Sequence, residues 1–552
     1  MASAGTDASP TSLDQLPTEI LREICMNLCG HCRPKKIGTN LSNPFENRSG
    51  SPRALFNLSR TSKRFRDIAL PIFYHDAGQI MPFSTWLLDI FMEPKLAESV
   101  RVLQLGHIEW GDPGELQLAM DIAEDYDMDV YDDPCVDFAL GNNIVFSHTC
   151  GQIYDEVMLA LCPNVETIVL PICDADDDDE MESTTTLHHF AKRLQINGDS
   201  AKLHKLRHLT LTINMSDTFS ICNPGVRVIL RAAPALQTLV FVGTTWLSDH
   251  HAAGSFNSRA FTPALQNLTT LELINSIIPI DKEASEQDRE DKGLRVLAEI
   301  ICRAKKLKHF RYVTCRKADE REHLPAECLF RALQFRADTL ETIEIGTNDI
   351  SATDHEPFYP EMRVVKSTLA PFNKLRTLRL NEAAFCKHYD SESDIEDPEL
   401  RQELCQSCIV NILPPSVKHL IVGLDAYTMA ARTDLLMLAQ MAPYGIFPNL
   451  ESLHVIILYG PGETCVEQNT EGLRKAKKKS ARLLPELENL IGEYPLKISI
   501  EPEGSIEPGQ DDDEDSDDEW DCGGLDGESD DASGGHSDSD GGWDADGRSD
   551  DE

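Results

Sequence analysis

One short phrase recurs along this chain and narrows most what the chain can become. It consists of an apolar residue, two polar residues, a second apolar residue, one residue of any kind and a last apolar residue. It reads VRVLQL from Val100, VETIVL from Val165, LRHLTL from Leu206, LQTLVF from Leu236 and LTTLEL from Leu268. It continues as LKHFRY from Leu307, LETIEI from Leu340, LRTLRL from Leu375, VKHLIV from Val417 and LESLHV from Leu450. From Leu206 onward the starts are 30, 32, 39, 33, 35, 42 and 33 residues apart. Self-similarity at a nearly fixed period of this size marks a stacked array of like units.

The physics of one unit is readable. In LRHLTL, Leu209 and Leu211 alternate and share one face of a short strand, while Leu206 turns in from the approach. Helically spaced apolar runs precede many of the phrases: YDEVMLAL, GVRVILRAA, GLRVLAEIICRA, CLFRALQFRA, ELCQSCIVNIL and DLLMLAQMA. Helix, tight turn and strand in repetition predict a parallel sheet with helices on its outer face. Ten such phrases are many for one sheet without curvature, which favours a curved array over an ordinary α/β domain with the same rhythm. YPLKISIEP, after the last phrase, reads as a final strand. In four units Cys173, Asn214, Cys315 and Asn348 stand at one offset, where a leucine-rich repeat carries Asn or Cys to hydrogen-bond its turn. The array therefore resembles leucine-rich repeats, in the degenerate form of many fungal F-box proteins.

Two stretches near the N-terminus have a different periodicity. In LDQLPTEILREICMNL, residues Leu13, Leu16, Ile20, Leu21, Ile24 and Leu28 recur at helical steps, with Pro17 expected in the first turn and Glu19 near the positive end of the dipole. In LFNLSRTSKRFRDIALPIFY, the residues Leu55, Leu58, Phe65, Ile68 and Ile72 repeat that spacing, and Arg60, Lys63, Arg64 and Arg66 cover the other side. Spacing alone predicts a helical hairpin. The order Leu-Pro-x-Glu-Ile-Leu followed by Leu55-x-Asn-Leu-Ser-Arg-x-x-Lys-Arg-Phe65 resembles the F-box, a helical motif that docks on the Skp adaptor of cullin–RING ubiquitin ligases. The resemblance implies adaptor contacts through Leu13, Leu16, Pro17, Ile20, Leu21 and Ile24, supported from the second part by Phe65 and Ile68. Between the two parts, residues 29–53 are rich in Gly, Pro, Asn and Ser and longer than the usual F-box link, so they read as a surface loop.

Charge and cysteine usage bound the partners. The net charge is −42, and from Glu501 onward 23 carboxylates face a single Arg548. That tail is acidic, Gly/Ser-rich and too poor in apolar residues to fold. An acidic body and tail repel phosphate backbones, so no nucleic-acid partner is expected. The N-terminal residues show no basic and apolar leader, and the run near Leu453 is too short to span a bilayer. The 16 irregularly spaced cysteines suit reduced thiols, so a cytoplasmic or nuclear setting without a membrane partner is expected. Ser516, Ser537 and Ser549 each have an acidic residue three positions on, as an acid-directed kinase requires. Lys475, Lys477, Lys478 and Lys479 crowd one helical stretch and suit either a nuclear import signal or a solvated face. The acidic stretches Asp121–Asp137, Asp174–Glu182, Asp281–Lys292 and Tyr389–Glu399 read as solvated rim loops.

No catalytic motif is present: no Walker loop, no Gly-x-Gly-x-x-Gly after a strand, no His-Glu-x-x-His and no Gly-x-Ser-x-Gly. An enzyme is not expected, nor a cofactor. A structural zinc site needs four ligands, and Cys25, Cys29, His31 and Cys32 could supply them only with the helix end unwound, so no metal is expected. The fold class expected is α/β: an N-terminal helical F-box, a leucine-rich-repeat-like solenoid and a disordered acidic tail. The boundaries expected are 1–11 disordered, 12–75 F-box with an insertion at 29–53, 76–500 repeats and 501–552 tail. The family resemblance implies a substrate-recognition subunit with a Skp-type adaptor, a cullin scaffold and an unknown protein substrate as partners. The alternative is a non-ligase scaffold or chaperone-like protein that holds a basic client through the repeats and tail.

Overall fold

A computed structural model describes residues 13–32, 51–76, 83–105, 113–126, 148–172, 187, 190, 203–212, 219–220, 224–245, 262–276, 291–314, 326–347, 369–385, 408–425, 431–458 and 466–502. They belong to a compact unit running from Met1 to Glu503. The unit opens with helices α1 (Thr18–Leu28), α2 (Pro52–Ser59), α3 (Lys63–Phe73), α4 (Phe83–Met92) and α5 (Pro94–Ser99).

Beyond them lies one parallel sheet of 11 strands. Its strands are β1 (Val102–Gln104), β2 (Thr167–Pro171), β3 (His208–Thr212), β4 (Thr238–Val242), β5 (Thr270–Ile274) and β6 (His309–Thr314). They continue as β7 (Thr342–Thr347), β8 (Thr377–Asn381), β9 (His419–Asp425), β10 (Ser452–Leu458) and β11 (Lys497–Pro502). Every strand pairs with the next one of this series, so sequence order is spatial order. Each recurring phrase supplies one strand, and LKISIEP supplies the last. A two-residue pairing of Phe219–Ser220 with Thr244–Thr245 stands apart.

The phrase works because its three apolar positions all go inward. Leu206, Leu209 and Leu211, then Leu236, Leu239 and Phe241, and so on to Leu450, Leu453 and Val455, are fully or almost fully buried. They join one core with residues from the helices, such as Ile229, Leu297, Ile301, Leu329 and Leu438. Those helices are the expected runs: His148–Leu161, Pro224–Ala232, Asp291–Arg303, Ala326–Leu333, Cys408–Ile412 and Arg432–Met441. Parallel strands require a crossover of a dozen residues or more, and a helix with its turns fills that length.

Several expectations need correction. The second N-terminal stretch is two helices, because Ser62 leaves the helical region and its hydroxyl caps α3 by accepting from the Phe65 amide at 3.3 Å. Pro17 is the residue before the first helical turn, not within it. The acidic stretch from Asp121 begins inside helix Pro113–Asp125, where Ile122 and Ala123 are buried. Helix Asp291–Arg303 likewise takes up the end of the stretch that starts at Asp281. Helix α2 starts within the expected loop, at Pro52. The last strand runs on to Pro502, past the expected start of the tail. The acidic tail beyond it, with Ser516, Ser537 and Ser549, lies outside the described residues, as do Cys173, Asn214, Cys315 and Asn348. No helix among the described residues is long and apolar enough to cross a membrane.

One close contact tests the sheet's packing. The Asn381 side chain lies against the backbone of Gly346 and Gly423 on the two neighbouring strands. A Cβ at Gly423 would stand 2.5 Å from Asn381 Oδ1 and 2.9 Å from Leu458 Cδ1. Gly423→Ala is expected to lower stability by about 1–3 kcal/mol in chemical denaturation, as overpacking does. The loss should shrink in an Asn381→Ala background, where the nearest obstruction is gone.

Candidate functional site

The helical hook sorts its apolar residues onto two faces. On α1, Leu21 is 1 % exposed and Cys25 is buried, and Cys25 shares the core with Leu55 and Ala69 of α2 and α3. On the other face Ile20 and Ile24 are 48 and 36 % exposed, and Leu13, in the short turn Leu13–Gln15 ahead of α1, is 56 % exposed. Pro17 is exposed beside them and Leu16 is half-buried. Leu13, Pro17, Ile20 and Ile24 thus form an apolar stripe that the hook itself does not cover. Of the residues expected on this surface, Leu21 is a correction: it faces the interior. Phe65 is buried as well, and Ile68 is half-buried against the core. Arg64 secures the start of the stripe, donating from Nη2 to the Leu16 carbonyl at 2.6 Å and to the Thr18 hydroxyl at 3.3 Å.

At the far end of α1 the chain turns into a cluster of thiols and imidazoles. Cys29, His31, Cys32 and His75 place one ligand atom each within 4.8 Å of one another. Cys32 Sγ is 3.2 Å from His75 Nδ1 and 3.7 Å from His31 Nδ1, and Cys29 Sγ is 3.8 Å from His75 Nδ1. The two imidazoles meet edge to face at 5.5 Å. The hydrogen bond with Cys32, aided by both imidazoles, draws the Cys29 thiol far below its ordinary value, and that same bond with burial pushes Cys32 up. The expected fourth member, Cys25, stays on its helix. His75, just past α3, takes that place. Its distance in sequence from Cys32 hides it from any spacing rule.

The sheet carries a second feature that the phrase half disclosed. The residue between the last two apolar positions lies on the face opposite the helices. In register across four strands this position holds Glu272, Arg311, Glu344 and Arg379. Arg311 reaches Glu272 at 3.7 Å and Glu344 at 3.0 Å, and Arg379 reaches Glu344 at 3.0 Å. On the next two strands Ile421 and then His454 continue the row, and His454 Nδ1 lies 2.6 Å from the Ser499 hydroxyl. Alternation of charge at this one letter of the phrase was the signal available in sequence.

The remaining expected sites are dispersed. Lys477 and Lys478 are exposed on helix Val466–Ile491, far along the chain from the hook, and Lys475 and Lys479 stand on the same helix. No family model matches this chain, and no curated protein matches it.

The ion-pair row allows a direct test. Glu272 and Arg311 are largely buried, so removing one partner strands a charge. Arg311→Ala is expected to lower stability by about 3 kcal/mol. A smaller loss is expected from the same change in a Glu272→Gln, Glu344→Gln background, measured by urea unfolding of the full chain.

Proposed function

We propose that this chain is the substrate-recognition subunit of a Skp–cullin–F-box ubiquitin ligase. The observation that carries the reading is the stripe of Leu13, Pro17, Ile20 and Ile24, exposed on a hook whose residue order resembles the F-box. Apolar residues at helical spacing on an uncovered helix face suit a helical partner surface. The Arg64 clamp supports the reading, since it holds the Leu-Pro turn at the head of the stripe. In this reading the finer fold is an F-box followed by a leucine-rich-repeat-like solenoid. The sheet face opposite the helices, with its row of paired charges, presents to a protein substrate. The chain makes and breaks no bond. It raises the local concentration of substrate beside the charged conjugating enzyme.

Capture of a Skp-type adaptor by the full chain tests this. Each isoleucine buried on the adaptor contributes about 1.5–3 kcal/mol. Ile20→Asp with Ile24→Asp should therefore weaken capture by at least about 100-fold. Both side chains are exposed, so the variant should unfold at the wild-type temperature. Failure of the wild-type chain to capture the adaptor would refute the ligase reading and leave the basic-client scaffold.

A further inference from the structure

We propose that Cys29, His31, Cys32 and His75 bind one structural zinc ion that fastens the helical hook to the start of the sheet. Zn–S bonds of about 2.3 Å and Zn–N bonds of about 2.0–2.1 Å set ligand atoms in a tetrahedral site about 3.3–3.8 Å apart. The separations at 3.7 and 3.8 Å already fall at those values, and the one at 3.2 Å lies just below them. The widest pair, at no more than 4.8 Å, closes by small side-chain rotations. Two sulfurs and two imidazole nitrogens are a tetrahedral donor set that selects zinc over the harder divalent cations.

Burial and the surrounding groups point the same way. Cys29 is 2 % exposed and the other three are half-buried, so the site is partly screened from bulk water and reachable by an ion. On binding, Zn²⁺ displaces the thiol protons, and the two thiolates balance the ion's charge. A neutral assembly is one that a half-buried site tolerates. Both histidines turn Nδ1 towards the sulfurs. The other nitrogen of His31, Nε2, lies 3.9 Å from the Glu166 carboxylate, which also sits 3.5 Å from Arg101 Nε. A carboxylate behind the far nitrogen is the usual way in which a zinc-bound imidazole is oriented.

The position gives the ion its role. Cys29 and Cys32 belong to the turn that leaves α1, and His75 to the turn that leaves α3. The His75 carbonyl accepts from the Arg101 amide at 3.1 Å, next to β1, and Glu166 directly precedes β2. One ion thereby joins two ends of the hook beside the first two strands. It is structural, since all four positions of the tetrahedron are taken by protein.

The full chain, expressed in zinc-supplemented medium and purified under reducing conditions without chelator or metal-affinity resin, should carry about one zinc per chain by elemental analysis. Cys32→Ser and His75→Ala should each cut that content to about a tenth or less, whereas His75→Cys, which restores four ligands, should retain it. If the two disabling variants fail to fold, the wild-type chain decides alone. Stripped of metal and titrated with Co²⁺, it should develop the absorption of a tetrahedral thiolate complex, which zinc then displaces. Three results would overturn the proposal: metal-free wild-type protein that also gives no such spectrum, a Cys29–Cys32 disulfide in the freshly purified chain, or unchanged zinc in His75→Ala. This readout needs no adaptor, so it stands or falls apart from the ligase reading.

Discussion

One backbone carbonyl in each unit organises the array. The carbonyl of Arg101 accepts from the amides of Glu166 and Thr167 at 2.8 and 2.9 Å. That of Glu166 accepts from Arg207 and His208, that of Arg207 from Gln237 and Thr238, and that of Gln237 from Thr269 and Thr270. The same step repeats through Thr269, Lys308, Glu341, Arg376 and Lys418. Each step lies between the first apolar residue of the phrase and the strand, so it fixes where the strand and its ladder begin. A parallel strand shifted by one residue would turn its apolar set to the wrong face. The staircase holds the register that keeps Leu209, Leu239, Leu271 and Phe310 on the core side. Because it uses main-chain atoms alone, it leaves the second letter of the phrase free to be Arg, Glu, Gln, Thr or Lys.

The same economy explains what could be read in the sequence. Strands were legible because the phrase repeats a burial pattern that one backbone geometry demands. Helices were legible where apolar spacing was regular, as in GLRVLAEIICRA. The break at Arg60 to Ser62 was not, because Leu58 and Phe65 keep the helical phase across it, and only the capping hydroxyl of Ser62 marks it. The inward turn of Leu21 was also hidden. Ile20 and Leu21 are adjacent and equally apolar, and which of them faces α2 and α3 depends on how three helices pack. His75 joins the thiol cluster through tertiary folding alone.

The two faces of the sheet obey different rules. On the helix side, shape and volume decide, and nearly every phrase residue is aliphatic or aromatic. On the other side, four adjoining strands place Glu272, Arg311, Glu344 and Arg379 in register, and opposite charges on neighbouring strands satisfy one another. Pairing of this kind keeps the four charges fixed in place. A partner laid on this face would meet a pattern of potential already set, which favours discrimination between partners over raw affinity.

The Ser51 amide donates to the Leu28 carbonyl at 2.9 Å. The chain therefore leaves α1 and re-enters at α2 through a single hydrogen-bonded gate, whatever lies between. Closing a flexible loop costs entropy that rises only with the logarithm of its length, about 0.6 kcal/mol for each doubling. Residues 33–50 lie outside the described residues, and the bond fixes the separation of the two described ends that flank them. The start of α2 is thus anchored to the end of α1 by the main chain itself, independently of the side chains that pack the three helices.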